Sequence, residues 1–170
     1  DMKFYVKDII KYFPGVGWGM YFLDMIYVKR NWAKDKDGIQ KLFAKYIDEK
    51  IPLFLVSFLE GTRLRPAKLQ KAQAFAKERG KYVPQHTLVP RTKGFVATIA
   101  GLGQYVDAVY DITIAYPDGP ASIMDCYLHK VARVEVHVRR YVAAELHSKS
   151  EAELNQWVFD RFKEKDARLA

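Results

Sequence analysis

Apolar positions along this chain recur at two periods, and segments of each kind alternate. Ile39, Leu42, Phe43, Tyr46 and Ile47 follow the i, i+3, i+4, i+7, i+8 spacing of one helix face. Asp35 and Asp37 stand near the start of that helix, where its dipole favours acids. Pro52 then precedes the apolar run Leu53-Phe54-Leu55-Val56-Ser57-Phe58, which reads as a buried strand. A second amphipathic helix is predicted over Ala67–Arg79, with Leu69, Ala72, Phe75 and Ala76 inward and Gly80 as its stop. Thr87-Leu88-Val89 reads as a short strand stopped by Pro90, and Lys93–Tyr105 as a helix or buried loop. Ala108–Tyr116 is rich in β-branched and aromatic residues and closes on Pro117-Asp118-Gly119-Pro120, so it predicts a strand and turn. Val134–Tyr141 alternates apolar with polar, as a half-exposed strand does. Ser150 and Glu153 form a capping box ahead of the stripe Leu154, Trp157, Val158 and Phe162, which predicts a final helix.

The N-terminal quarter is less regular. Lys3–Tyr12 reads as a short helix stopped by Pro14 and Gly15. Phe13–Val28 is a weakly polar run, either buried or interfacial, with a short strand at Met25–Val28 that ends in Lys29-Arg30. Strands alternate with helices, so the expected class is α/β, a mixed sheet flanked by helices, in a single domain over residues 1–170. No run reaches the length of a membrane-spanning helix, and no signal peptide is visible. The first residue is Asp1 rather than Met, which leads us to expect further residues upstream.

Composition adds one fact of consequence. The net charge is +8, and Arg63–Lys93 holds nine basic residues against the single acid Glu78, so that segment carries all of it. Such a segment fits a phosphorylated small molecule, an anionic membrane surface or nucleic acid, and equally a solvated basic helix face. Against nucleic acid, the chain has no RNP-type aromatic block, no zinc spacing and no helix-turn-helix pattern. The lone Cys126 rules out an internal disulfide and reads as packing. No metal-ligand spacing is present, and Gly101-Leu102-Gly103 lacks the third glycine of a dinucleotide loop.

The chemistry concentrates in Phe58-Leu59-Glu60-Gly61-Thr62-Arg63, where a strand runs out. Open α/β sheets place ligands at such strand ends. Glycine lets backbone approach an anion, Thr62 can hydrogen-bond it, and the Arg63 guanidinium matches a phosphate. The stretch is flanked by Ile26-Tyr27-Val28-Lys29-Arg30 before it and by Leu88-Val89-Pro90-Arg91-Thr92-Lys93-Gly94 after it. In this order the three resemble the second, third and fourth sequence blocks of the glycerolipid acyltransferases, in particular the eukaryotic 1-acylglycerol-3-phosphate acyltransferases. Leu59 stands where the third block usually has proline. The resemblance continues through Val109–Thr113, Val138–Tyr141, Gln156-Trp157 and Glu164–Ala167.

The resemblance implies a reaction and roles. Such enzymes move a fatty acyl group from acyl-CoA, a co-substrate rather than a bound cofactor, to the free hydroxyl of a lysophospholipid. By position, Arg30 and Arg63 would contact the acceptor phosphate. Gly61 and Thr62 would shape that pocket, Glu60 would orient the arginines or the glycerol backbone, and Pro90 would help form the acyl-CoA side. It further implies work at a membrane surface, by default the cytosolic face of the endoplasmic reticulum. The family's first block, His followed five positions later by Asp, supplies the general base. Five positions after His86, His129, His137 and His147 stand Arg91, Val134, Val142 and Ala152, so none begins that block. His86 is near the fourth block and is a candidate lining residue; His137 and His147 read as structural or solvated. The chain therefore reads as the substrate-holding half of an acyltransferase without its reacting pair. The alternative is a non-catalytic relative that binds anionic lipid.

Overall fold

The computed structural model describes residues 1–29, 32–80, 82–119, 122–130 and 133–170, and of 32–34, 123 and 126 the backbone alone. The expectation for Cys126 thus falls on a side chain outside the description.

Three short parallel strands form the first sheet. β1 (Met2–Lys7) is central, with β2 (Ile26–Val28) on one side and β3 (Phe54–Val56) on the other. Tyr5 pairs with Ile26 and Met2 with Phe54. This corrects the helix expected over Lys3–Tyr12; only Asp8–Tyr12 is helical, as a 3₁₀ turn. Phe4, Tyr5 and Val6 favour a pleated, half-buried surface, and two flanking ladders reward extension more than one helical turn would. Lys3 is buried, and its ammonium donates to the Leu23 carbonyl at 2.6 Å. The Tyr5 hydroxyl meets the Thr98 hydroxyl at 2.6 Å, and burial pushes its pKa up to about 12, against a smaller lowering by that bond.

α2 (Trp32–Asp48) lies against this sheet, and its predicted stripe is present except at Ile47, which is exposed. Ile39, Phe43 and Tyr46 are buried with Ile26 and with Leu102 of α4 (Thr92–Leu102). The Phe13–Val28 run divides into α1 (Val16–Phe22) and β2. β2 buries Ile26, whereas the part before it is turned outward: Phe13, Val16, Trp18, Tyr21 and Phe22 are 62%, 64%, 59%, 65% and 81% exposed.

β3 is shorter than the apolar run predicted, and Phe58 beyond it is exposed. α3 (Pro66–Glu78) follows, with Ala76 buried, Leu69 and Ala72 half-buried, and the Arg79 guanidinium 4.3 Å from the centre of the Phe75 ring. Thr87–Val89 is not a strand. Its residues bend, because the amides of Thr87 and Leu88 are given to side-chain carboxylates rather than to a ladder.

A second core lies at the C-terminal end. Phe95 and Ile99 of α4 pack with Leu146 of α6 (Ala143–His147) and with Leu154 and Val158 of α7 (Glu151–Arg168). Trp157 stacks on Phe95 with centroids 5.5 Å apart and meets Tyr141 edge-on. β4 (Ala108–Ala115) and β5 (Glu135–Val142) form an antiparallel pair, with α5 (Ile123–Tyr127) in their connection. The capping box of α7 is formed: the Glu153 amide donates to Ser150 Oγ at 3.3 Å, and the Ser150 amide to Glu153 Oε2 at 2.7 Å. The architecture is mixed α/β, with parallel and antiparallel sheets flanked by helices.

Candidate functional site

Because β1, β2 and β3 are parallel, their C-terminal ends open onto one edge of the sheet. The segment from Phe58 to Arg63 leaves β3 at that edge. Its first four residues close a turn, with the Gly61 amide donating to the Phe58 carbonyl at 3.0 Å. Gly61 has φ +66°, a left-handed conformation that a side chain strains.

The turn is held by the loop that precedes α4. The Arg91 amide donates to the Leu59 carbonyl at 2.8 Å, and the Leu88 amide donates to the Glu60 carboxylate. The Arg91 side chain lies against Gly61 so closely that a Cβ there would stand 3.2 Å from Arg91 Cδ. Burial pushes the Glu60 carboxyl above the usual carboxylate range; the Leu88 N–H and the charge of Lys165 offset part of this. Lys165, on α7, is itself held by Asp111 at 2.5 Å and by the Ile112 carbonyl at 2.7 Å.

On its other side the same loop walls an open cleft of about 350 Å³. Ala72 and Phe75 of α3 face Leu88 and Pro90 across it, and Lys68, Lys71 and Arg91 add cations. The cleft is therefore amphipathic, with apolar walls and positive charge, which suits an amphiphile with a phosphorylated end.

Of the residues singled out from sequence, Glu60, Gly61 and Pro90 come together through the Leu88–Arg91 segment. Thr62 and Arg63 follow the turn and are exposed. Arg30 lies outside the described residues; β2, two residues before it, ends at the same sheet edge. His86 is exposed and uses its backbone amide on Asp166, while His147 Nδ1 meets the Ile99 carbonyl at 3.0 Å. Three contributors were given no role in the sequence reading: Arg91, Lys165 and Asp166. A signal existed for the last. Asp166 continues the Leu154, Val158, Phe162 series at four-residue steps, so an acid occupies a position in the apolar register.

The family profile described as Acyltransferase matches residues 1–117, and that described as Acyltransferase C-terminus matches residues 127–170. The chain belongs to the acyltransferase family. Similar acyltransferases include 1-acyl-sn-glycerol-3-phosphate acyltransferase 2 of Brassica napus, 36% identical over 166 residues, and its namesake in Arabidopsis thaliana, at 34%. Lysocardiolipin acyltransferase 1 of Gallus gallus is 33% identical over 171 residues. The Brassica and Gallus alignments cover 96% and 98% of this chain but 42% and 45% of those relatives, so the chain spans less than half their length. No solved structure matches it.

Proposed function

We propose that this chain holds the acceptor of a lysophospholipid acyltransferase, which moves a fatty acyl group from acyl-CoA to the free hydroxyl of lysophosphatidic acid or a related lysophospholipid. The Glu60–Gly61 turn, braced by Leu88–Arg91 at the carboxyl edge of a parallel sheet, is the observation that carries this reading. In the reaction the acceptor hydroxyl attacks the thioester carbonyl, a carbon–oxygen ester bond forms as the carbon–sulfur bond breaks, and the hydroxyl proton ends on the departing CoA as its thiol. This chain's part is to hold the two substrates in line. Arg63, exposed beyond the turn, and Arg30 bind the acceptor phosphate. Gly61 and Thr62 form the floor beneath it, and Glu60 fixes the turn by accepting from the Leu88 amide. The cleft behind Pro90 receives the acyl-CoA side, with Lys68, Lys71 and Arg91 near its phosphates.

A membrane surface is the proposed setting, on the cytosolic face of the endoplasmic reticulum. Support comes from the outward aromatic and aliphatic side chains of the Phe13–Phe22 segment. No helix among the described residues is long and apolar enough to cross a membrane.

The test is equilibrium binding of 1-oleoyl-lysophosphatidate and of the phosphate-free monoacylglycerol to this chain. We expect lysophosphatidate to bind at least tenfold tighter, and Arg63→Ala to lose about 10–100-fold, the range for one charge-assisted contact. Equal binding of the two lipids refutes the phosphate assignment. With acyl-CoA added, the chain alone is expected to give no product, since no His-x4-Asp block lies within it. The same result with the full-length protein would favour a lipid-binding relative over an enzyme.

A further inference from the structure

Asp166 is 1% exposed, yet it is an acid on the inner side of a helix. Its two oxygens accept from five donors of one loop: the Tyr82 hydroxyl at 2.8 Å, the Gln85 amide at 2.9 Å, the His86 amide at 2.7 Å, the Thr87 amide at 2.8 Å and the Thr87 hydroxyl at 3.0 Å. The next amide, that of Leu88, goes to Glu60. Four consecutive amides are thus spent on two carboxylates, three on Asp166 and one on Glu60. The loop has neither helix nor strand of its own here, so these bonds set its path.

We propose that Asp166 is a positioning residue for the acceptor site, setting the Glu60–Gly61 turn through the 82–91 loop. The chain of contacts is continuous. Asp166 fixes Gln85–Thr87, which places Leu88 against Glu60 and brings Arg91 against Leu59 and Gly61. A residue needed only for packing at this point of the apolar series would be apolar, since burying a carboxylate carries a desolvation penalty that its donors must offset. The helix has seating contacts besides those of Asp166. Lys165 is pinned to Asp111, and Trp157 stacks on Phe95. In this arrangement the C-terminal helix, which lies in a separately recognised family segment, acts on the acceptor site without touching the acceptor.

This inference rests on the acceptor-site reading above, and the experiment separates the two. The variants are Asp166→Asn, Tyr82→Phe/Thr87→Val, which removes two of the five bonds from the loop side, and Ser150→Ala, which weakens α7 at its far end. Each is measured for 1-oleoyl-lysophosphatidate affinity and for amide hydrogen exchange at Gly61 and Arg91, the donors that report the turn. Asp166→Asn is expected to lose at least tenfold in affinity and to raise exchange at both amides at least tenfold. The double variant is expected to do the same to a smaller degree, and Ser150→Ala neither. The proposal is overturned if exchange at Gly61 and Arg91 is unchanged in both loop-directed proteins. Equal losses in Ser150→Ala would likewise overturn it, by reducing Asp166 to general stability. If the parent chain fails to bind lysophosphatidate, the acceptor reading falls, and the exchange data alone decide the coupling. If Asp166→Asn does not fold, the double variant decides both.

Discussion

Replacing Gly61 by alanine isolates the contact between the Glu60–Gly61 turn and Arg91, because the fold supplies its own control. Gly61 and Gly80 share a left-handed backbone, with φ +66° and +60°. A Cβ at Gly80 meets nothing within 4 Å, whereas one at Gly61 meets Arg91 Cδ at 3.2 Å and Nε at 3.3 Å. Gly80→Ala therefore reports the backbone alone, a cost of about 1 kcal/mol after the stiffer unfolded chain is allowed for. For a chain of this size that is a fall in Tm of roughly 2–4 °C. Gly61→Ala adds displacement of the Arg91 side chain by a few tenths of an ångström, about 0.5–1.5 kcal/mol more if it leaves its rotamer. Its Tm should fall by roughly 3–10 °C. In an Arg91→Ala background the excess should vanish, leaving the two alanine substitutions equal in a thermal melt followed by circular dichroism. Equal effects of Gly61→Ala and Gly80→Ala in the parent chain would refute the packing of Arg91 on the turn.

Three further outcomes follow from contacts described above. Ser150→Ala removes the capping box and should cost about 1 kcal/mol, or roughly 2–4 °C in a melt. Carboxyl NMR should find Glu60 titrating above the ordinary glutamate range, and Lys165→Met should raise it further by removing an offsetting charge. Since the folded value lies above the unfolded one, protonated Glu60 favours the fold at low pH, and that contribution is lost as pH rises through the folded pKa. Trp18→Glu/Phe22→Glu should leave the melt nearly unchanged and abolish flotation with phosphatidylcholine/phosphatidylserine vesicles; retained flotation would move the membrane contact elsewhere.

What could be read from the residues was whatever a local period specifies. The α2 stripe, the capping box of α7 and the turn after β4 each depend on near neighbours, and each is present. The Glu60–Gly61 turn was visible because a short polar motif interrupts an apolar strand. β1 was not, since its conformation is decided by partners at Ile26 and Phe54, and Lys3 hides its burial behind a charged name. The Thr87–Val89 bend escaped for the same reason. Its apolar, β-branched residues suggest a strand, but the acceptors for its amides are side chains elsewhere: Asp166 of α7, about eighty positions further on, for Thr87, and Glu60 for Leu88. The exposed α1 shows a third cause. Apolar composition fixes what a segment avoids, not what covers it.

The placing of β1 in the middle of the sheet has a consequence for how the molecule assembles. Among the described residues, β2 and β3 have no strand partner but β1. Tyr5 reaches Ile26 across 21 positions, and Met2 reaches Phe54 across 52. Closing the longer loop costs about 0.8 kcal/mol more in chain entropy, so β1 should meet β2 first. β1, made before either of its partners, then waits, half-paired, for the residues that lead into the Glu60–Gly61 turn. Until they arrive, the edge of β1 that β3 will occupy is an open template for any other extended chain. The same strand that unites the sheet is thus the point at which its folding is most exposed to a wrong partner.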